Sequence, residues 1–97
     1  HIGNGNIHVR LISKRKNTKL IKNIAIEYFN EVIKNEGTIS AEHGDGLARS
    51  EFIKKQYGVI NYQTFKKIKH VLDPDFILNP GKIITKKSTV VKNLKKY

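Results

Sequence analysis

Residues 17–37, NTKLIKNIAIEYFNEVIKNEG, contain the longest regular apolar pattern in the chain. Asn17 or Thr18 can cap the N-terminus of a helix with a side-chain oxygen, and Gly37 stands where a left-handed residue would end it. Between them, apolar residues recur every three or four positions, as on one face of a helix: Leu20, Ile21, Ile24, Tyr28, Phe29, Val32 and Ile33. The pattern predicts a helix over residues 18–35.

Two short segments around this helix have the pattern of strands. Over residues 7–12, Ile7, Val9 and Leu11 alternate with His8, Arg10 and Ile12. This period of two predicts a half-buried strand with His8 and Arg10 on the same face. Residues 38–40 predict a second, short strand that enters a glycine-punctuated loop over residues 42–46. Two strands are too few to close a sheet, so we expect an α+β fold whose missing strands lie outside these residues.

The second half of the chain is predicted to be mainly helical. Residues 47–57 form a short helix in this interpretation, and Asn61 caps a further one that carries Phe65, Ile68 and Leu72 on one stripe. Asp73-Pro74 stops that helix, because proline disfavours helical geometry in the preceding residue. Residues 78–82, LNPGK, predict a turn. From residue 85 onward lysines dominate and periodicity fails, so we expect a folded part over residues 1–84 and a basic tail over residues 85–97.

The composition limits what the chain can be. At 97 residues it is one domain at most and buries a modest fraction of its surface. It contains no cysteine, which excludes disulfides, thiolate metal sites and iron–sulfur ligation by these residues alone. No apolar run approaches the roughly 20 residues that span a bilayer, and no basic leader precedes an apolar stretch, so a soluble, cytoplasmic location is expected.

The charge of the chain raises a different class of function. The formal net charge is +11, from 16 lysines and 3 arginines set against 8 acidic residues. A polyanion is therefore one possible partner. Nucleic-acid sites concentrate arginine and stacking aromatics on one face, whereas these lysines are scattered along the chain. A basic nucleic-acid module thus stays an alternative, as does a small stand-alone metal-binding protein.

Residue types that carry chemistry are concentrated in three segments: HIGNGNIH at residues 1–8, SAEHGDG at residues 40–46, and Asp73-Pro74 together with NPGK at residues 79–82. A histidine pair with a carboxylate from another segment is a ligand set for Zn²⁺ or a similar divalent ion, with positions open to substrate. Glycines between His1 and His8 would let both reach one ion. The alternative is that His1 is merely a disordered first residue and His8 a satisfied surface histidine.

The adjacent pair Glu42-His43 can serve two roles. Neighbours in an extended segment point to opposite sides, so one residue could ligate a metal while the other titrates. Histidine, with a pKa of about 6.5, suits a general base that takes a hydroxyl proton, and a metal on that hydroxyl eases the removal. The alternative for Glu42 is a surface ion pair with a lysine.

Together and in this order, the three segments resemble the C-terminal part of the type 4 FAD-linked oxidases, the family of D-lactate dehydrogenase, the D subunit of glycolate oxidase and D-2-hydroxyglutarate dehydrogenase. The resemblance runs from His1 to about Ile84. It implies a fragment of a ferredoxin-like cap domain, with an antiparallel sheet flanked by helices. It also implies a separate FAD-binding domain or subunit as partner, a small D-2-hydroxy acid as substrate, and inactivity of this chain alone. The whole enzyme could lie peripherally at a membrane.

The resemblance assigns roles residue by residue. His1, His8 and Glu42 correspond to ligands of a divalent metal, with zinc expected. His43 corresponds to the base that deprotonates the 2-hydroxyl while hydride leaves C2 for the flavin N5. Asn79 corresponds to a residue against the flavin ring, and Asn6 to one that shapes the metal loop.

The chain departs from the family pattern at two positions. Asn4 stands where the family commonly has aspartate, which removes a charge near the metal. Arg10 stands where some relatives carry asparagine, and on the His8 face its guanidinium could bind a substrate carboxylate through two parallel hydrogen bonds. The stretch from Glu42 to Glu51, with Asp45 and Arg49, is most similar to the large members of the family that are fused to iron–sulfur modules.

Overall fold

The computed structural model of the chain describes residues 1–2, 5–12, 14 and 17–91. Its elements are helix α1, Thr18–Lys34, a short 3₁₀ turn over Ser50–Phe52, and helix α2, Ile53–Leu72. Within those residues the only strand-like pairing is an isolated antiparallel bridge between Ala41 and Gly44. The fold of the described part is therefore helices connected by irregular segments.

The predicted α+β class, with its ferredoxin-like antiparallel sheet, is wrong for this part of the chain. Residues 7–12 and 38–40 form no strand. The backbone of Ile39 illustrates the reason, since its N–H donates to Gln56 Oε1 at 2.8 Å and its carbonyl accepts from Arg49 Nη1 at 3.1 Å. Side chains thus satisfy polar groups that a ladder would otherwise pair. Residues 7–12 have the alternation of a strand but no neighbouring strand.

The start of α1 follows the prediction. The Asn17 side chain accepts a hydrogen bond of 2.9 Å from the Leu20 backbone N–H, which satisfies one of the free donors of the first turn. The helix then runs to Lys34. The bounds of the predicted helix are confirmed to within one residue.

The end of α1 differs from the prediction in one residue. Glu36, with φ of 59°, is the left-handed residue, and Gly37 is not. The Gly37 N–H bonds the Val32 carbonyl at 2.9 Å and the Glu36 N–H bonds the Ile33 carbonyl at 3.1 Å, the two bonds of a Schellman motif. A Cβ on Gly37 would lie 3.0 Å from both Val32 Cγ1 and Val32 O. Glycine is therefore favoured at position 37 because a side chain there would be crowded against Val32.

Helix α2 joins the two helices predicted from the sequence. Gly58 interrupts it with φ of 77° and ψ of 171°, a region that is essentially restricted to glycine. The break thus lies at Gly58, and Asn61 is not an N-cap: its side-chain amide donates to the Tyr57 carbonyl at 2.9 Å. The helix ends at Leu72, immediately before Asp73-Pro74, as predicted.

The core lies between α1 and the start of α2. Ile39, Phe52 and Val90 are buried, and the rings of Phe29 and Phe52 meet edge to face with their centroids 4.8 Å apart. Partly buried side chains surround this centre: Ala25, Ile26, Phe29, Val32, Ile33 and Val91. Because Val90 belongs to the core, the described part of the predicted basic tail packs against the domain. Residues 92–97 lie outside the described residues.

The C-terminal segment is anchored by one carboxylate. Glu51 Oε1 accepts from the backbone N–H groups of Thr89 and Val90, at 3.1 and 2.9 Å, and from the Ser88 hydroxyl at 3.2 Å. These bonds cross 37 to 39 positions of sequence. They hold this lysine-rich, aperiodic stretch against the core.

Neither of the described helices is long and apolar enough to cross a membrane.

Candidate active site

Glu42 and His43 occupy the corner of a tight turn. The Gly44 N–H donates to the Ala41 carbonyl at 2.9 Å, and Gly44 takes φ of 63°, which favours glycine. The expectation that Glu42 and His43 belong to an extended segment and point apart is wrong. In the turn, His43 Nε2 lies 3.5 Å from Glu42 Oε1.

The four residues assigned to metal and proton chemistry meet at the Glu42 carboxylate. His8 Nε2 lies 3.0 Å from Glu42 Oε1, and His1 Nε2 contacts the other oxygen, Oε2. The rings of His8 and His43 meet edge to face with centroids 5.8 Å apart. Residues separated by 34 positions along the chain, His8 and Glu42, are thereby brought into direct contact.

The donor set suits a divalent cation. Ligand atoms of His8, Glu42 and His43 lie within 4.8 Å of one another. Two ligands of one tetrahedral Zn²⁺, each bound at about 2.0–2.2 Å, lie about 3.3–3.6 Å apart, so movements of about an ångström would be needed. All three side chains are exposed and can make them. His43, the predicted base, belongs to this closest group, whereas His1 reaches it through Glu42.

The N-terminal loop folds back on itself. The Asn6 N–H donates to the His1 carbonyl at 3.3 Å, and the Gly5 N–H donates to the Ile2 carbonyl at 2.9 Å. Gly5 has φ of 70°, so a residue with a side chain would be strained there. This turn brings His1 near His8. Asn4, which stands where the family commonly has aspartate, lies outside the described residues.

Arg10 is not brought into this cluster. Its side chain is exposed and forms no ion pair with any acidic residue of the described part. The predicted role in substrate binding therefore has no contact supporting it within the chain itself and stays a prediction.

Asn79 lies in the turn that the sequence predicted. The Lys82 N–H bonds the Asn79 carbonyl at 3.2 Å, and Pro80 with Gly81, at φ of 72°, fills the two central positions as in a type II turn. The Asn79 side-chain oxygen accepts from Lys82 Nζ at 2.8 Å. Asn79 itself takes a positive φ of 45°.

One surface cavity of about 640 Å³ connects the His43 turn to the Asn79 turn. His43, Asn79 and Lys82 all line it. Apolar side chains contribute most of the remaining surface: Phe65, Ile68, Leu72, Leu78, Ile83 and Ile84. The size lies within the range of small-molecule sites, and a mainly apolar wall with few polar groups is typical of them.

Lys69 and Asp73 also line this cavity; the sequence drew attention to Asp73-Pro74 but not to Lys69 or to its pairing with Asp73. The Lys69 ammonium contacts the Asp73 carboxylate, which also accepts backbone bonds from Ile77 at 2.9 Å and Leu78 at 3.0 Å. The hydrogen bond from Lys69, followed by the two backbone bonds, lowers the pKa of Asp73 despite its burial. The spacing of four residues between a lysine and an aspartate was the available signal.

The histidine cluster is open to solvent. The side chains of His1, His8 and His43 are 62%, 56% and 74% exposed. Charged chemistry of the kind predicted is favoured where water is excluded. The described residues hold the reactive groups together but do not enclose them.

The chain belongs to the family described as FAD linked oxidases, C-terminal domain, whose model matches residues 1–83. It is 37% identical over 84 residues to a probable mitochondrial D-2-hydroxyglutarate dehydrogenase of Oryza sativa subsp. japonica, a match that covers 87% of this chain. It is 31% identical over 90 residues to the mitochondrial D-lactate dehydrogenase [cytochrome] of Arabidopsis thaliana, and 34% identical over 88 residues to the D-2-hydroxyglutarate dehydrogenase of Stutzerimonas stutzeri.

The chain matches only a small part of these relatives: 15% of the two plant proteins and 19% of the bacterial one. No solved structure gives a significant match. The match to the family model over residues 1–83 confirms, at the level of the family, the resemblance inferred from the three segments.

Proposed function

We propose that residues 1–84 form the C-terminal part of an FAD-dependent dehydrogenase of D-2-hydroxy acids of the lactate, glycolate or 2-hydroxyglutarate type. The named relatives act on D-2-hydroxyglutarate or D-lactate, and the family is FAD-linked. In this proposal the chain contributes metal ligands and a base. A flavin-binding domain or subunit contributes the redox group.

The roles follow from the chemistry of oxidising an alcohol. His43 takes the proton of the substrate 2-hydroxyl, and the hydrogen on C2 leaves with its electron pair, which turns the 2-hydroxy acid into a 2-oxo acid. FAD, when bound, supplies the acceptor for that hydride. His1, His8 and Glu42 would hold a divalent cation, zinc by the donor types, which makes a hydroxyl more acidic. Asn79 would lie against the flavin, and Arg10 would bind the substrate carboxylate.

One observation carries the proposal: three histidines from two distant segments meet at a single carboxylate. A surface ion pair of Glu42 with a lysine, the alternative for that residue, is not the contact it makes in the described part. The shared cavity of His43 and Asn79 supports the relative positions of base and flavin.

The exposed apolar surface supports a partner. Within the described part, five apolar side chains are buried and sixteen large ones are exposed. The exposed ones include Ile12 at 91%, Ile60 at 84%, Val71 at 77% and Leu72 at 75%. Large apolar side chains exposed to this degree are often covered by a partner polypeptide. Another polypeptide that covers these surfaces would also close the site.

The test uses the full-length flavoprotein that contains these residues, or the complex with its flavin subunit. We expect His43→Ala to lower kcat by about 10²–10⁴-fold, the usual contribution of a general base. We expect His8→Ala to weaken zinc binding as well as turnover. Dye reduction with D-lactate and D-2-hydroxyglutarate, together with metal analysis after dialysis, measures both effects.

His70→Ala is the matched control, because His70 is exposed, lies on α2 and is outside the cluster. It should keep the rate and the metal content of the unaltered protein. Normal rates in both His43→Ala and His8→Ala would show that the roles are wrongly assigned. Dye reduction by the 97-residue chain without any flavoprotein would contradict the division of roles.

A further inference from the structure

The side chain of Arg49 binds the turn that carries Glu42 and His43 from both sides. Its guanidinium donates to the carbonyl of Ile39 at 3.1 Å, before the turn, and to the carbonyls of Gly44 and Asp45 after it, the latter at 3.2 Å. Three nitrogens of one side chain thus bond three backbone groups that flank two residues of the proposed site. Arg49 is half-buried, and its bonds to the Ile39 and Asp45 carbonyls are partly shielded from water.

The guanidinium has no acidic partner among the described residues. No carboxylate there lies within ion-pair distance of Arg49, although Asp45 stands four positions earlier. The Asp45 carboxylate instead accepts from the Ser40 hydroxyl at 2.6 Å. Arginine therefore acts here as a planar set of donors aimed at carbonyls, a geometry that lysine, with a single point charge, cannot reproduce.

We propose that Arg49 is a positioning residue for the proposed site: it fixes the turn so that the Glu42 carboxylate and the His43 ring stay in register with His8. This inference rests on the proposed function. Arg49 forms no hydrogen bond or ion pair with the four cluster side chains, so it acts through the backbone of the turn. Loss of its three bonds would leave the carbonyls of Gly44 and Asp45, one and two residues after His43, without this donor.

The experiment compares Arg49→Met and Arg49→Lys in the full-length flavoprotein. Methionine retains an apolar stem and removes every donor. We expect Arg49→Met to weaken zinc binding and to lower kcat, each by about 10–100-fold, the usual cost of losing support behind metal ligands. KM should change little, because no substrate contact is removed. The Gly44 amide should exchange with solvent at least about tenfold faster. Arg49→Lys should lie between Met and the unaltered protein.

Two controls separate positioning from general stability. Lys54→Met makes the same kind of change on an exposed residue of α2 and should leave all three readouts unaltered. Val90→Ala destabilises the core without touching the turn, and should lower stability while zinc binding and kcat stay normal. If Arg49→Met behaves like either control, the inference is overturned. If Arg49→Met does not fold, normal zinc binding and kcat in Arg49→Lys overturn it equally.

Failure of the proposed function gives a different result. If the proposed function is wrong, the unaltered protein itself will neither bind zinc nor oxidise a 2-hydroxy acid. Unchanged exchange of the Gly44 amide in Arg49→Met, by contrast, refutes the role of Arg49 even in an active enzyme.

Discussion

At the scale of the residue, Glu36 and Gly37 show how one position can mislead a prediction. Both stand where a helix ends, and glycine is the usual left-handed residue there. The structure gives the left-handed conformation to Glu36, and glycine suits the next position because a Cβ on Gly37 would lie 3.0 Å from Val32 Cγ1 and O. Glu36 therefore holds a conformation that costs a residue with a side chain about 1 kcal/mol or more.

Glu36→Gly is expected to raise the free energy of unfolding by about 0.5–1 kcal/mol. Glycine adopts the left-handed region without strain, and its larger entropy in the unfolded chain offsets part of the gain. Urea unfolding measures the difference. The same substitution at Glu27, exposed within α1, should instead destabilise by about 1 kcal/mol. A loss of stability in both variants would refute the assignment of strain to Glu36.

At the scale of the element, the end of α2 is held by the network around Asp73. The carboxylate caps the loop that follows the helix through the N–H groups of Ile77 and Leu78, and it pairs with Lys69 one turn earlier. These contacts stabilise the ionised form, and the pKa of Asp73 falls below its ordinary 3.8. The resulting stability is fully present above the unfolded-state pKa and is lost as the pH falls through the lower folded-state value.

Asp73→Asn should therefore remove a pH-dependent part of stability. The unaltered protein is expected to lose stability steeply below about pH 4, where an unfolded aspartate binds its proton. The variant should start less stable at neutral pH and fall less steeply. Unfolding in urea at a series of pH values from neutral to acid checks this. Asp75→Asn, on an exposed neighbour, should keep the steep acid dependence. Equal slopes for Asp73→Asn and the unaltered protein would contradict the prediction.

At the scale of the whole molecule, the C-terminal segment closes the core. Val90 packs with Ile39 and Phe52, and the Glu51 carboxylate bonds three groups of residues 88–90. Hydrogen bonds to a charged group contribute about 1.5–3 kcal/mol each when a partner is lost. The segment is thus joined to the 3₁₀ turn that precedes α2, near the middle of the chain.

Glu51→Ala should detach this segment and lower the free energy of unfolding by about 2–4 kcal/mol. Two backbone N–H groups would lose their acceptor, and the side chain of Val90, now buried, would become exposed to water. Proteolysis after the lysines near Ser88 should accelerate, and calorimetry should show the lower stability. Glu27→Ala, which removes an exposed carboxylate from α1, should change neither measurement appreciably. Unaltered proteolysis in Glu51→Ala would show that the anchor has no energetic role.

The sequence alone determined the features that arise from neighbouring residues. Helix α1 with its Asn17 cap, the stop at Asp73-Pro74 and the turn at Asn79 all depend on interactions within four or five positions. The order of the three motif segments was likewise sufficient to identify the family. Local propensity, capping and motif spacing can be read without coordinates because their partners stand close by in the chain.

Only the tertiary structure decided the features that depend on distant partners. The strand pattern of residues 7–12 forms no sheet in the described part, since alternation gives a strand its faces but supplies no neighbour to pair with. The meeting of His8 with Glu42 and the anchoring of Val90 by Glu51 each cross more than thirty positions. No local pattern encodes such contacts, because they exist only once the helices have packed around a common core.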